Sequence, residues 1–222
     1  MSEQKISRST TFMTPRFHAL WAHLDKPDKP PQSERLVYSV TAQVDPSNPE
    51  VAAFLEQLDG FGEQALAYAR EQIEKSEGNP AKRARKLEGL VLHPVYEPEY
   101  DKDGMETGKV LFKLKTYATR KDKNGNEEQT TVNMCDAHRH PIDATQTAIG
   151  NGSILRVGGT VRPNYVSGTN KAFATLYIGA VQLIDLVEYT GAGFDRFAEE
   201  ETSGEADFKK ESPIGGSENG DF

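Results

Sequence analysis

Cysteine occurs once in this 222-residue chain, at Cys135, and tryptophan once, at Trp21. One cysteine excludes an internal disulfide framework and suits a reducing compartment. No stretch approaches the ~18 consecutive apolar residues of a membrane span, and residues 1–11 hold no apolar run of signal-peptide length, so no membrane partner is expected. No glycine loop of the phosphate-cradling type occurs, and no repeat of fixed period is present. Cations are in deficit, with 26 Lys and Arg against 34 Asp and Glu. As a whole-chain figure, that balance disfavours a polyanionic partner, but the charge is unevenly placed.

From Glu199 onward there are eight acidic side chains against two lysines, so the last stretch carries −6 of the chain's −8 and leaves the body nearly neutral. Ser, Gly and Glu at this density cannot bury enough apolar surface to offset the entropy of ordering, so residues 199–222 are expected to be a disordered acidic tail. The tail ends in Gly220-Asp221-Phe222, and an aromatic terminus on a flexible acidic segment reads as a docking peptide, with Asp221 and Phe222 its partner-binding residues. It can also lie in a basic groove when no nucleic acid is there. Residues 1–198 then form one globular domain of ordinary length.

Within that domain, Leu36 to Val44 alternates with β-branched and aromatic residues and predicts a strand. Phe12 to Asp28 is aromatic-rich and ends in prolines, which reads as irregular chain packed on a sheet. Ser47 with Glu50 forms a capping box before Val51, Phe54, Leu55 and Leu58 at helical spacing; Gly60 and Gly62 are expected to interrupt or bend this helix, while Leu66, Ala69 and Ile73 continue the stripe towards Lys75 until Gly78-Asn79-Pro80 ends it. Lys82, Arg83, Arg85 and Lys86 follow, read as a solvated loop. Val110 to Thr119 alternates most clearly, with Val110, Phe112 and Leu114 on one side and Lys113, Lys115 and Tyr117 on the other. Asn124-Gly125 signals a hairpin. Ile154 to Arg162 and Ala172 to Tyr189 complete the strands, the latter divided around Gly179. Many short strands with one inserted helix point to a mainly β fold, a five-stranded antiparallel oligonucleotide-binding (OB-fold) barrel with an inserted α-helix being one such solution.

Single-stranded nucleic acid is held by cations tracking the backbone and by aromatic faces on which bases stack, each stack worth about 1–3 kcal/mol. Lys113, Lys115 and Tyr117 project together from one strand, and Arg120, Lys121 and Lys123 extend the charge to the hairpin tip. On the next strand Arg156 and Arg162 oppose Leu155, Val157 and Val161, while Gly158 and Gly159 permit a bulge or a close backbone approach. Tyr165, Lys171, Phe173 and Tyr177 again interleave basic and aromatic groups. These twelve are the candidate DNA contacts, with Phe17 and Trp21 as alternative platforms.

Cys135, Asp136, His138, His140 and Asp143 fall within nine positions, but a zinc site draws on two separated ligand pairs and no second cluster follows. No metal, cofactor or catalytic residue is expected. An RNA-binding barrel and a metal-dependent nuclease around His138 and His140 stay open as alternatives.

The whole chain resembles the podovirus-type bacteriophage single-stranded DNA-binding replication proteins. The likeness runs in order through Leu24-Asp25-Lys26-Pro27-Asp28, Val37-Tyr38-Ser39-Val40, the Ala-rich segment from Gln64 to Glu74, Phe112-Lys113-Leu114-Lys115-Thr116-Tyr117-Ala118, Ser153-Ile154-Leu155-Arg156-Val157, Val181 to Val187 and the terminal Gly220-Asp221-Phe222. It implies an OB-fold with an inserted helix that binds single strands with little sequence preference in the host bacterium's cytoplasm. It also implies a tail that engages DNA polymerase and helicase-primase and competes with DNA for the groove. By motif position, Lys113, Lys115, Tyr117 and Arg156 carry over as contacts. This tail is shorter and less densely acidic than the family's, which leaves a homodimer and the strength of autoinhibition open.

Overall fold

The computed structural model describes residues 9–30, 35–121 and 124–188. They lie in a compact unit, Met1–Tyr189; a second unit, Thr190–Phe222, falls outside the described residues. The order begins with β1 (Thr10–Met13), β2 (Phe17–Asp28) and β3 (Val37–Val44), then two helices, α1 (Pro49–Ser76) and α2 (Pro80–Glu88). Short strands β4 (Val91–Leu92) and β5 (Tyr96–Tyr100) lead to the long β6 (Glu106–Tyr117). After it come β7 (Thr119–Lys121), β8 (Glu127–Gln129), β9 (Asn133–Cys135) and β10 (Pro141–Ile142), and the hairpin of β11 (Ile154–Val166) with β12 (Lys171–Asp185) closes the series.

Five strands form a ring in the order β2, β3, β6, β12, β11 and back to β2. Four of its pairings are antiparallel. The fifth, between β6 and β12, is parallel and joins Leu114 to Leu176 and Lys115 to Tyr177, so the all-antiparallel expectation needs that one amendment. Alternation explains the ring's interior: Val40, Leu114, Leu155, Val157 and Leu176 are 2% exposed or less, while neighbours in sequence face outward. Phe54 of α1 closes the interior, its ring 5.5 Å from that of Phe112 and 6.3 Å from that of Phe12. Each such buried side chain contributes about 2–3 kcal/mol.

Several elements differ from the sequence reading. The cap of α1 is Asn48, whose side chain accepts the Glu50 N–H at 2.9 Å, with Pro49 as the first helical residue. Gly60 and Gly62 do not interrupt the helix; Gly62 lies against Leu92, where a Cβ would sit 3.3 Å from a methyl group. The run from Lys82 to Lys86 is helical, because Asn79 accepts the N–H groups of Ala81 and Lys82 and Pro80 starts the turn. Phe17–Asp28 is a strand whose register slips twice, Trp21 and Ala22 together opposing Val40 and the four residues from Leu24 to Pro27 opposing Tyr38. Lys171–Asp185 is one strand, not two: the register slips at Gly158/Gly159, where Gly179 is left over, and the strand bends without ending.

Candidate nucleic-acid interface

The outer faces of β3, β6 and β12 meet at the ring's parallel seam. Thr41 lies opposite Lys113 and Ser39 opposite Lys115, while Tyr177 pairs with Lys115 from the other side. Along β12, Phe173, Thr175 and Tyr177 take the positions that face outward, since Leu176 and Ile178 point inward. A cleft of about 660 Å³ runs over this surface, lined among others by Trp21, Tyr96, Lys113, Lys115, Lys171 and Phe173. Glu97 is the single carboxylate among the described lining residues. Cations therefore outnumber anions three to one on its wall, in a chain of negative net charge.

Beyond the cleft the same two rows continue as alternating guanidinium and phenol groups. The Arg35 guanidinium lies 3.9 Å from the centre of the Tyr117 ring. Tyr117 and Tyr177 have ring centres 6.0 Å apart, and the Arg162 guanidinium is 5.4 Å from the centre of Tyr177. Each cation-over-ring contact holds a planar guanidinium where it can stack on a base or reach a phosphate. Burial, with the bond to Tyr117 second, raises the Tyr177 phenol above its ordinary value. The folded state thus holds that proton more tightly than the unfolded chain, so its contribution to stability is complete below about pH 10 and is lost as pH rises through the raised value. An alkaline absorbance titration should find Tyr177 ionising later than exposed tyrosines, and Tyr177→Phe should diminish that late phase, leaving the part due to Tyr96, whose phenol is likewise raised by burial and by the bond to Asp59.

The remaining candidates lie elsewhere. Arg156 extends from β11 to the start of α1, its Nη2 2.8 Å from Glu50 Oε1, and it does not line the cleft. Tyr165 packs with Ala65, Ala69 and Ala172 under α1 and donates its hydroxyl to Asn170 at 2.9 Å. Arg120 is paired with Glu128 at 2.9 Å across the β7–β8 hairpin, so its charge is compensated there, and the backbone of Lys121 lies in register with that of Glu127. Lys123, Asp221 and Phe222 fall outside the described residues. Of the alternative platforms, Phe17 is a core residue at 2% exposure, whereas Trp21 is 60% exposed on the cleft's edge. Arg35 and Tyr96 are the residues that the strand-by-strand reading passed over.

The loop after β9 has its own structural account. Asp136 accepts the backbone N–H groups of His138 and His140, each at 2.8 Å, and lies 3.0 Å from His140 Nδ1. These bonds, that from the His140 N–H foremost, hold the Asp136 carboxyl below its usual range. Among the described residues no three His, Cys, Asp or Glu side chains converge in the manner of a metal site.

A five-strand ring of this order, with a helix inserted between its second and third strands and a cationic cleft across its outer face, defines an oligonucleotide-binding fold. Residues 17–186 match the family described as "Single-stranded DNA-binding protein, Bacteriophage T7", and the chain belongs to that family. It is 28% identical over 191 residues to the single-stranded DNA-binding protein of Enterobacteria phage T3, covering 83% of this chain and 79% of that one. The crystal structure of gp2.5, a single-stranded DNA-binding protein encoded by bacteriophage T7, shares the fold with a TM-score of 0.65 at 22% identity, over 89% of this chain and 98% of that one. The single-stranded DNA-binding protein of bacteriophage Enc34, solved in complex with ssDNA, gives a TM-score of 0.49 at 14% identity, over 82% and 89% of the two chains.

Proposed function

We propose that this member of the phage family coats transient single-stranded DNA during replication, recombination and repair in the cytoplasm of the host bacterium, without catalysis and without strong sequence preference. The observation that carries the reading is the coincidence, on one face, of Lys113, Lys115 and Lys171 with the exposed Trp21 indole and the half-buried Phe173 ring. Lysines supply phosphate contacts that are blind to sequence, and ring faces accept any base. The acidic tail of residues 199–222 is proposed to compete for this cleft and, through Asp221 and Phe222, to recruit DNA polymerase and helicase-primase.

The test is the affinity for a labelled single-stranded oligonucleotide across a salt series. Each neutralised phosphate should contribute about −0.7 to the slope of log K against log salt. A flat response would exclude an electrostatic groove. Run in parallel, a chain ending at Ala198 should bind more tightly at low salt, and equal affinity would leave the tail a docking role alone. A matched RNA strand distinguishes the two nucleic acids, since a protein that discriminates must read the 2′-hydroxyl.

A further inference from the structure

Trp21 occupies a backbone position that favours glycine. Its φ of 48° lies in the left-handed region, where a bulky residue is an outlier, and it begins the bulge that opposes Val40. The surroundings hold it there. Asn151 accepts the Trp21 N–H through Oδ1 at 2.8 Å, and the next residue, Gly152, donates its N–H to the Ala19 carbonyl at 2.8 Å. A backbone forced into this conformation to expose an indole, where glycine would fit without the steric cost of a Cβ, points to a function for the ring.

That indole is a wall shared by two hollows. One is the main cleft, and the other is a smaller space of about 270 Å³ whose walls include His23, Asp28, Ser39, Thr41 and Lys113. The smaller space is sized for one base and not for a length of strand. Asp28 restricts what can enter, because a carboxylate repels phosphate yet accepts hydrogen bonds from the exocyclic amino group of a base, as on cytosine N4. Its orientation is fixed by the Lys29 N–H, which donates to Oδ1 at 2.7 Å. Thymine offers no amino group and presents two carbonyl oxygens instead.

We infer that this hollow is a one-base subsite: a nucleobase leaves the path along the main cleft, stacks on Trp21 and presents an amino group to Asp28, while Lys113 holds the adjoining phosphate. Asn151 is the positioning residue that keeps the indole turned towards it. The inference rests on the single-strand-binding reading above and adds base selectivity at one position of an otherwise tolerant surface.

Because Trp21 is the chain's single tryptophan, its emission reports the wall that the subsite shares with the main cleft, and the Asp28 variant separates the two. The full chain is titrated with short all-cytosine and all-thymine strands, following indole emission together with the anisotropy of a labelled strand. Cytosine strands should quench the emission strongly and in step with binding. Asp28→Asn should reduce the cytosine-to-thymine affinity ratio about fivefold. Asn151→Ala should weaken the quenching at saturation, and Asn151→Asp, which keeps a side-chain oxygen acceptor, should restore it. Binding seen by anisotropy with unchanged indole emission would overturn the subsite while leaving the broader reading intact; no binding by anisotropy would overturn both. An unchanged ratio in Asp28→Asn would remove the amino-group assignment.

Discussion

Reversing Lys113, Lys115 and Lys171 to glutamate together is expected to lower single-stranded DNA affinity at 0.1 M salt by roughly a hundredfold or more and to reduce the salt slope by about 2. The three side chains belong to two strands that meet only at the parallel seam, and all three line the cleft. For single strands each phosphate contact scales affinity with salt to about the −0.7 power, so between 1 M and 0.1 M each is worth about fivefold, and three compound to about a hundredfold. Reversal adds repulsion to that loss. Lys113 and Lys171 are exposed and Lys115 is half-buried; surface substitutions change stability by about 0.5 kcal/mol or less each, so the fold should persist. Reversing Arg70, Lys75 and Lys102, which are exposed but do not line the cleft, changes net charge equally and provides the control. If both sets weakened binding alike, the response would belong to net charge and not to the cleft.

The second large effect is on stability. Gly159 sits where β11 crosses β12, and a Cβ there would overlap the Tyr177 carbonyl oxygen and lie 3.0 Å from Phe12 Cζ. The first obstacle is backbone within the hairpin and cannot swing aside. Gly159→Ala is therefore expected to cost about 3 kcal/mol, at the upper end of overpacking penalties, which for a domain of this size lowers Tm by about 6–12 °C. Thermal unfolding followed by circular dichroism measures it. Gly168→Ala is the comparison, because a Cβ at that position meets nothing within 4 Å and the shift should be near zero.

How much of this was readable beforehand depended on whether periodicity survived. In β6 it did: Phe112 and Leu114 are buried, Lys113 is exposed, and the cationic face follows directly. Gly158-Gly159 marked the bulge for the same reason, since only a missing side chain lets strands cross so closely. In β2 the register slips at Trp21 and again before Asp28 broke the alternation and hid the strand, although the lone indole itself stands out in the sequence. The helix over Lys82 to Lys86 was hidden differently, because it buries no side chain and thus shows no apolar stripe; its signal was the Asn79-Pro80 start. Tyr165 and Arg156 have the right chemistry for the interface, and their destinations were set by partners distant in sequence, α1's alanines and Glu50. Local spacing carries no record of such partners.

The seam between β6 and β12 spans two residue pairs, and β12 comes near the end of the described chain. A ribosome delivers the sequence from its N-terminus, so the lysines of β6 emerge long before the strand that completes their surface. Until the last hairpin arrives the ring cannot shut, and the cleft proposed above to hold DNA lacks one of its walls. Capacity to hold DNA should consequently switch on late in synthesis and abruptly, leaving truncated translation products unable to occupy and block the template.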